Sequence, residues 1–183
     1  MPCWKRASTP RGICGACGAR RCCGARRGTS GLCVVSGLAQ GIDSAAHEGA
    51  LEANGKTIAI IGSGFNHIFP KQNKKLAEEI IKKQGAIITE YEKDVEVFSK
   101  GFVMRNRLIA GISKAILVVE AKYRSGTSIT VDFAKKQGKK VFCLAHSINE
   151  KQGVGTNRMI QQGAYLVTSP DYILNYFGYE KKV

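Results

Sequence analysis

The sequence predicts a doubly wound α/β domain, with a mainly parallel sheet and helices on both faces of it. After residue 33, short apolar runs alternate six times with stretches of helical periodicity. The apolar runs are continuous rather than interrupted by polar residues, which is typical of parallel strands that are buried on both faces. Most of the runs end in turns rich in glycine and hydroxyl residues, as the connections from such strands to helices require.

Local signals set the boundaries of each predicted element. The first strand covers 33–35 and ends at a Ser-Gly pair, and the second covers 57–62 and ends in a Gly-Ser-Gly turn. The helix after it, over 72–84, has apolar residues at three- and four-residue spacing and closes at a glycine. The later strands are predicted at 86–89, 115–120, 141–145 and 164–168. The other helices are predicted at 42–54, 103–112, 125–138, 156–162 and 171–177.

Length, composition and charge limit the class of protein. The 183 residues, of which 44% are hydrophobic and 23% charged, suit one globular domain. No apolar run approaches the roughly 18 residues of a membrane span, and no secretory signal follows the basic N-terminus, so we expect a cytoplasmic protein without membrane association. The net charge of +14 favours polyanionic partners, nucleic acid first and phosphate-containing ligands second.

Residues 1–33 differ from the rest of the chain. They contain six of the seven cysteines, no acidic residue and almost no large apolar residue. We therefore expect a Cys/Gly/Arg-rich leader at 1–33, disordered or non-native, followed by a folded domain at 34–183. Two alternatives stay open, an arginine-rich arm that touches nucleic acid and a zinc site, although adjacent cysteines fit zinc poorly. The four thiols of such a site would be Cys14, Cys17, Cys22 and Cys23.

The turns that follow the predicted strands form a candidate anion site. Right-handed crossovers bring the carboxyl ends of the strands to one edge of the sheet, where ligands of open α/β sheets bind. The segments 36–43, 125–128 and 153–157 each combine glycine or hydroxyl residues with the start of a helix. Such openings suit phosphates. Arg105 and Arg107 are two residues apart on a helix, so we expect at most one of them to face this crevice.

Patterns that would indicate catalysis are weak. His47, His67 and His146 lack metal-ligand spacing, and Cys143 lies in an apolar run without a partner nearby in sequence. The third glycine of a G-x-G-x-x-G cofactor fingerprint is absent after Gly62. We therefore expect no catalytic residue, no metal ion and no cofactor, and we interpret His47 as a cap-region or packing residue.

Several long motifs occur in one order along the chain. They are SGLAQGID followed by AH, TIAIIGSGFNHIFP, RNRLIAGIS, VVEAKYRSGTSIT and GTNRMIQQGA. In this arrangement the sequence closely resembles the DprA (Smf) family of bacterial DNA-processing proteins, from about Val34 to Phe177. The resemblance implies a Rossmann-like domain that binds single-stranded DNA, protects incoming strands in natural transformation and assists loading of the RecA recombinase. It also implies a homodimer and no catalysis. The nucleic-acid-binding residues that it implies are Ser36, Gly37, Gly41, Lys100, Phe102, Arg105, Asn106, Ser125, Gly126 and Thr127.

The sequence departs from the family pattern at its N-terminal side. The family's domain normally begins with a further strand, a Gly-Ser/Thr-Arg turn and a helix, and Gly24-Ala25-Arg26-Arg27 lies too close to Val34 to replace them. Losing that unit would expose an apolar sheet edge. An inactive, truncated family fragment is therefore one alternative. The other is a phosphoribohydrolase-like nucleotide-processing enzyme, but Thr130 stands where that turn carries its catalytic glutamate.

Overall fold

The computed structural model describes residues 32–123 and 125–179, and it describes the backbone of residues 12–17. The strands are β1 (Gly12–Cys17), β2 (Cys33–Ser36), β3 (Thr57–Ile60), β4 (Ala86–Ile88), β5 (Ala115–Glu120), β6 (Lys140–Leu144) and β7 (Tyr165–Val167). The helices are α1 (Ile42–Glu52), α2 (Lys74–Lys82), α3 (Ser99–Ile112), α4 (Gly126–Lys136), α5 (Val154–Gln161) and α6 (Pro170–Tyr176). Single 3₁₀ turns cover Phe65–His67 and Lys71–Asn73.

The strands form one sheet in the order β4-β3-β2-β1-β5-β6-β7. The pairs β2–β3, β3–β4, β5–β6 and β6–β7 are parallel. The predicted doubly wound α/β fold is therefore confirmed. Most predicted boundaries lie within two residues of the observed ones, but α3 begins at Ser99 rather than at 103, so that Lys100 and Phe102 lie on its first turn rather than in a loop.

β1 occupies the centre of the sheet and runs against both of its neighbours. Ala16 is opposite Val34 in β2 and also opposite Ala115 in β5. Gly12–Cys17 of the segment expected to be a disordered or non-native leader pairs as a strand, because strand pairing uses main-chain groups that glycine, alanine and cysteine carry as well as valine does. The expected exposed edge is wrong, since β2 and β5 both pair with β1. The side chains of the four candidate zinc cysteines, and Gly24-Ala25-Arg26-Arg27, lie outside the described part of the chain.

Helices cover both faces of the sheet. Ala59 and Ile61 pack with Leu51 of α1 and Ile80 of α2. Their neighbour Ile60 points to the other face, because successive side chains of a strand alternate, and packs with the residues of α3, α4 and α5. These residues are Ile109, Val131 and Met159. In β6, Phe142 packs with Ile173 of α6, on the face opposite to Val141 and Cys143.

Within the described ranges, no helix is long and apolar enough to cross a membrane. Cys143 is buried as expected, and burial raises the pKa of its thiol to about 12, against the opposing effect of Lys135. A thiol with such a pKa is protonated at neutral pH and is a poor nucleophile.

Candidate functional site

The carboxyl ends of β2 and β3 pack closely against the first turns of α3. A Cβ atom on Gly62 would lie 2.8 Å from the carbonyl carbon of Gly101 and 3.0 Å from the backbone nitrogen of Phe102. A Cβ on Gly37 would lie 2.5 Å from Cζ of Arg105. Glycine is required at these positions because backbone and guanidinium occupy the space of a side chain. The approach places the first turns of α3 directly over the ends of two strands.

Arg105 joins these strand ends from inside the protein. It is 7% exposed, and its Nη1 donates to the carbonyl oxygen of Gly37 at 2.6 Å and to that of Ile60. Burial lowers the pKa of Arg105 from its ordinary value, and the nearby Asp43 carboxylate opposes this shift. A buried guanidinium paired with carbonyl oxygens holds loops in position at a fixed distance. Its hydrogen bond to Gly37 spans 68 positions of the chain.

Asn106 continues this connection to a third element. Its Oδ1 accepts a hydrogen bond from Nε of Arg105 at 3.1 Å, and its Nδ2 donates to the carbonyl oxygen of Gly126 at 3.4 Å. Gly37, Arg105, Asn106 and Gly126 therefore form one hydrogen-bonded chain from the end of β2 to the start of α4. We call the space between these three elements the cleft.

The loop between β2 and α1 is fixed from within. Oδ2 of Asp43 accepts from the backbone nitrogens of Gly37 at 3.0 Å and Ala39 at 3.2 Å. Gly41 has a φ of 94°, which favours glycine, and it precedes the first residue of α1. Nδ2 of Asn73 donates to the carbonyl oxygen of Leu38 at 2.8 Å. Asn73 was not among the residues expected from the sequence, because its role depends on a contact 35 positions away.

At the start of α4, Gly126 is open to solvent, whereas the hydroxyl oxygen of Ser125 is buried. Ser125 precedes the helix in an extended conformation, and Gly126 is exposed, so that a Cβ atom added to it would meet nothing within 4 Å. The amides of the first helical turn have no partner further back in the helix, and the helix dipole adds partial positive charge. Thr127 is 8% exposed. The adjacent Arg124 lies outside the described residues.

Lys100 and Phe102 lie on the first turn of α3, on the outer side of the cleft. Lys100 is exposed, and Phe102 is half-buried with its ring centroid 5.8 Å from that of Phe69. Phe69 is itself 49% exposed and Phe98 is 40% exposed. These last two residues were not expected from the sequence, although an aromatic side chain beside a glycine-rich turn or a charged loop is a usable signal for a stacking surface.

The arginine and histidine predictions have clear outcomes. Arg105 points inward, whereas Arg107 is on the surface and pairs with Glu90, so the two side chains point in different directions. His47 is fully buried, with Nδ1 2.6 Å from Oγ1 of Thr57. Because that hydroxyl donates to the carbonyl oxygen of Val34 at 2.8 Å, the histidine donates from Nδ1, which leaves Nε2 unprotonated. Burial and the charge of Arg105 lower the pKa of His47 to about 3, as befits a packing residue.

The structure brings most of the expected site residues to one edge. Arg105, Asn106, Gly37 and Gly126 are linked directly, and Ser36 is a fully buried residue that precedes Gly37. Gly41, Lys100, Phe102, Ser125 and Thr127 lie at helix starts around them. Among the residues whose side chains are described, no group of three His, Cys, Asp or Glu could hold a metal ion. Contact with a nucleic acid at these ten residues stays a prediction.

Comparisons with known proteins agree with this geometry. Residues 21–178 match the sequence profile of the family described as DNA recombination-mediator protein A. The chain is 44% identical over 146 residues to Protein Smf of Escherichia coli, covering 80% of this chain and 39% of that protein. It is 43% identical over 148 residues to DNA processing protein DprA of Streptococcus pneumoniae, covering 81% of this chain and 52% of that protein.

Solved structures give the same result. The X-ray structure of DprA from Streptococcus pneumoniae has a TM-score of 0.72 and 40% identity, over 82% of this chain and 52% of that chain. A structure of DNA processing protein A from Helicobacter pylori, described for its single-stranded DNA binding mode, has a TM-score of 0.70 and 33% identity. The match covers 78% of this chain and 64% of that chain. The chain thus spans between about two fifths and two thirds of the length of these relatives. On the combined sequence and structural likeness, the chain belongs to the DNA recombination-mediator protein A family, which includes the DprA and Smf proteins.

Proposed function

We propose that the chain binds single-stranded DNA in the cleft between the end of β2 and the starts of α3 and α4. The observation that carries the proposal is the hydrogen-bonded chain Gly37–Arg105–Asn106–Gly126, which holds three glycine-containing elements together at the carboxyl edge of the sheet. Ligands of open α/β sheets bind at this edge. The Helicobacter pylori relative, described for single-stranded DNA binding, supports the choice of ligand.

The residues of the cleft divide into those that would touch DNA and those that position them. Lys100 and the amides at the start of α4 suit phosphate oxygens, and the buried side chains of Ser125 and Thr127 would shape this helix start. Phe102 suits stacking on a base. Arg105 and Asn106, with Ser36, Gly37 and Gly41, shape the loops, because Arg105 is buried and bonded to carbonyl oxygens.

The biological role follows from the family. The names of the relatives support a role in DNA processing. Protection of incoming strands in natural transformation, assistance of RecA loading, homodimer formation and a cytoplasmic location rest on the resemblance. Size-exclusion chromatography with light scattering would test the dimer, and a RecA strand-exchange assay on DNA coated with single-strand-binding protein would test the loading role.

The proposed activity is binding without catalysis. Thr130 occupies the position where phosphoribohydrolase-like enzymes carry a glutamate, and its side chain is fully buried in α4. A threonine hydroxyl in the core cannot act as a carboxylate base. Incubation with nucleoside monophosphates tests the enzyme alternative, because a phosphoribohydrolase would release the free base, which chromatography detects.

Fluorescence anisotropy with a labelled oligothymidine, a duplex competitor and a salt series tests the binding function. We expect tight binding that resists the duplex, and a salt slope that falls by about 1 in Lys100→Ala because one phosphate contact is lost. Lys136→Ala is the matched control, since Lys136 is an exposed lysine in the last turn of α4, at the opposite edge. Weak binding that vanishes with salt and ignores strandedness would instead identify a family fragment that has lost the function.

A further inference from the structure

The surface beside the cleft combines exposed aromatic rings with an acidic loop. We call Phe69, Tyr91, Phe98 and Phe102 the aromatic row, and residues 90–97, between β4 and α3, the acidic loop. Both lie on the β4 side of the cleft. Glu90 of this loop pairs with Arg107, and the juxtaposition of the two features bears on how a strand would lie there.

The aromatic row consists of two ring pairs, contributed by the turn after β3, the loop after β4 and the start of α3. The rings of Phe69 and Phe102 are 5.8 Å apart, and those of Tyr91 and Phe98 are 5.2 Å apart in an edge-to-face arrangement. The ring of Phe98 lies against Gly101, the residue before Phe102, where a Cβ atom would lie 3.1 Å from that ring. Phe69 and Phe98 remain 49% and 40% exposed. The row therefore offers ring surface to a ligand.

The acidic loop concentrates negative charge in a basic protein. Four of the chain's 14 acidic residues fall within eight positions, and Lys93 is the loop's one basic residue. The loop is fixed against the turn after β3, since the backbone nitrogens of Gly64 and Asn66 donate to Val95 at 2.8 Å and Lys93 at 2.9 Å. A Cβ atom on Gly64 would lie 2.5 Å from the carbonyl carbon of Lys93, which shows how closely the two segments pack.

The two sides of the cleft favour different parts of a nucleotide: the acidic side favours the base, and the α4 side favours the phosphate. On the acidic side, a phosphate would be repelled, whereas an uncharged base can stack on a ring. On the α4 side, the helix amides and the exposed Lys122 attract phosphates. The arrangement therefore separates base contacts from backbone contacts.

We propose that a single strand crosses the β4 side of the cleft with its bases stacked on Phe69, Phe98 and Phe102 and its phosphates turned away from the acidic loop. This inference rests on the proposed function and adds the orientation of the strand. It also supplies a reason for strand selectivity. A duplex has no free base to stack, and its second backbone would approach Glu92 and Glu96, both of which are exposed.

Anisotropy with three matched 20-mers tests the orientation on the full chain. The probes are a single strand, the same strand with three consecutive abasic sites, and the duplex. For the wild type, we expect the abasic strand to bind at least about fivefold more weakly, because each stacked base contributes a factor of this order. In Phe69→Leu/Phe98→Leu, we expect the intact strand to lose a similar factor while the abasic strand loses none. Tyr172→Leu, an exposed aromatic on α6, is the control.

Removing charge from the acidic loop tests whether the loop repels the phosphates of DNA. In Glu92→Gln/Glu96→Gln, we expect duplex affinity to rise severalfold more than single-strand affinity does, so that selectivity falls. Glu48→Gln/Glu52→Gln makes the same charge change at exposed positions of α1 and should shift both affinities alike. Both loop residues are exposed, so this variant should fold even if the aromatic variant does not.

The outcomes separate this inference from the proposed function. If the wild type prefers the single strand but binds the abasic strand equally well, the base-inward orientation is wrong and the binding function stands. The same holds if the loop variant and its control give the same selectivity. If the wild type shows no preference for the single strand, the proposed function fails, and this inference fails with it.

Discussion

The two edges of the sheet both carry many cations, but these cations have different roles at the two edges. At the amino edge, lysines donate to carbonyl oxygens at the ends of helices. Lys56 reaches Lys83 at the end of α2 at 3.2 Å, Lys83 reaches Leu51 in α1 at 3.3 Å, and Lys139 reaches Gly111 in α3 at 3.2 Å. Cations at helix C-termini also interact favourably with the partial negative charge of the helix dipole. The lysines at this edge therefore stabilise the helix ends of the fold.

At the carboxyl edge, the cations of α3 are divided by burial. Arg105 is inside and holds the ends of β2 and β3, whereas Lys100 is exposed about one and a half turns earlier. The net charge of +14 therefore does not indicate where the binding site lies. The position of a cation relative to glycine turns and helix starts is the better guide. The predictions that follow test this division between structural and ligand-facing cations.

The largest expected effect is on folding, from Arg105→Leu. Removing the guanidinium leaves the carbonyl oxygens of Gly37 and Ile60 without this donor, so we expect a loss of about 3–5 kcal/mol in the free energy of unfolding. Urea denaturation measures it. Lys100→Leu, on the same helix, should change stability by less than about 0.5 kcal/mol. Unchanged stability in Arg105→Leu with lost DNA affinity would make Arg105 a ligand-facing residue.

A smaller effect is expected when Arg105 is displaced rather than removed. In Gly37→Ala, the new methyl group would overlap the guanidinium, which must shift, and we expect a loss of about 2 kcal/mol. Gly126→Ala is the matched control at the other end of the hydrogen-bonded chain. It meets nothing within 4 Å and lies in the first turn of α4, so it should be neutral or slightly stabilising. Equal thermal midpoints for the two variants would contradict the close approach at Gly37.

The buried histidine near Arg105 predicts a pH dependence of stability. The pKa of His47 is about 3 in the folded protein and about 6.5 when unfolded, so below pH 6.5 the unfolded state binds a proton that the folded state does not. Stability should therefore fall as pH decreases from 6.5 toward 3, by up to about 1.4 kcal/mol per pH unit. His47→Asn, which keeps a donor for Thr57, should remove this part of the slope between pH 6.5 and 5. His67→Asn should retain it.

The smallest effect concerns a lysine of the amino edge. Lys139→Ala removes one partly exposed contact to the end of α3, so we expect a loss of about 0.5 kcal/mol or less. Single-strand affinity should change no more than general charge loss requires, as judged from a parallel Lys136→Ala variant. A specific loss of DNA affinity in Lys139→Ala would show that the amino edge also contacts the strand.

The parallel strands and the glycine turns could be predicted from the sequence because both have local causes. Continuous apolar runs such as Ala115–Glu120 reflect burial on two faces, and parallel connection brings the turns to one edge. The burial of Arg105 could not be predicted, because it depends on glycines that lie close to it only after the sheet has formed. β1 could not be predicted either, since its pairing uses main-chain groups and its Gly- and Cys-rich sequence carries no strand signal.

The direction of β1 determines where N-terminal extensions are attached. Gly12 lies opposite Glu120, at the carboxyl end of β5, so whatever precedes Gly12 joins the fold at the same edge as the cleft. A tag or fused partner on the N-terminal side is therefore attached at the edge of the sheet that carries the cleft. C-terminal attachments begin after α6, beyond β7 at the outer end of the sheet, and suit tags better.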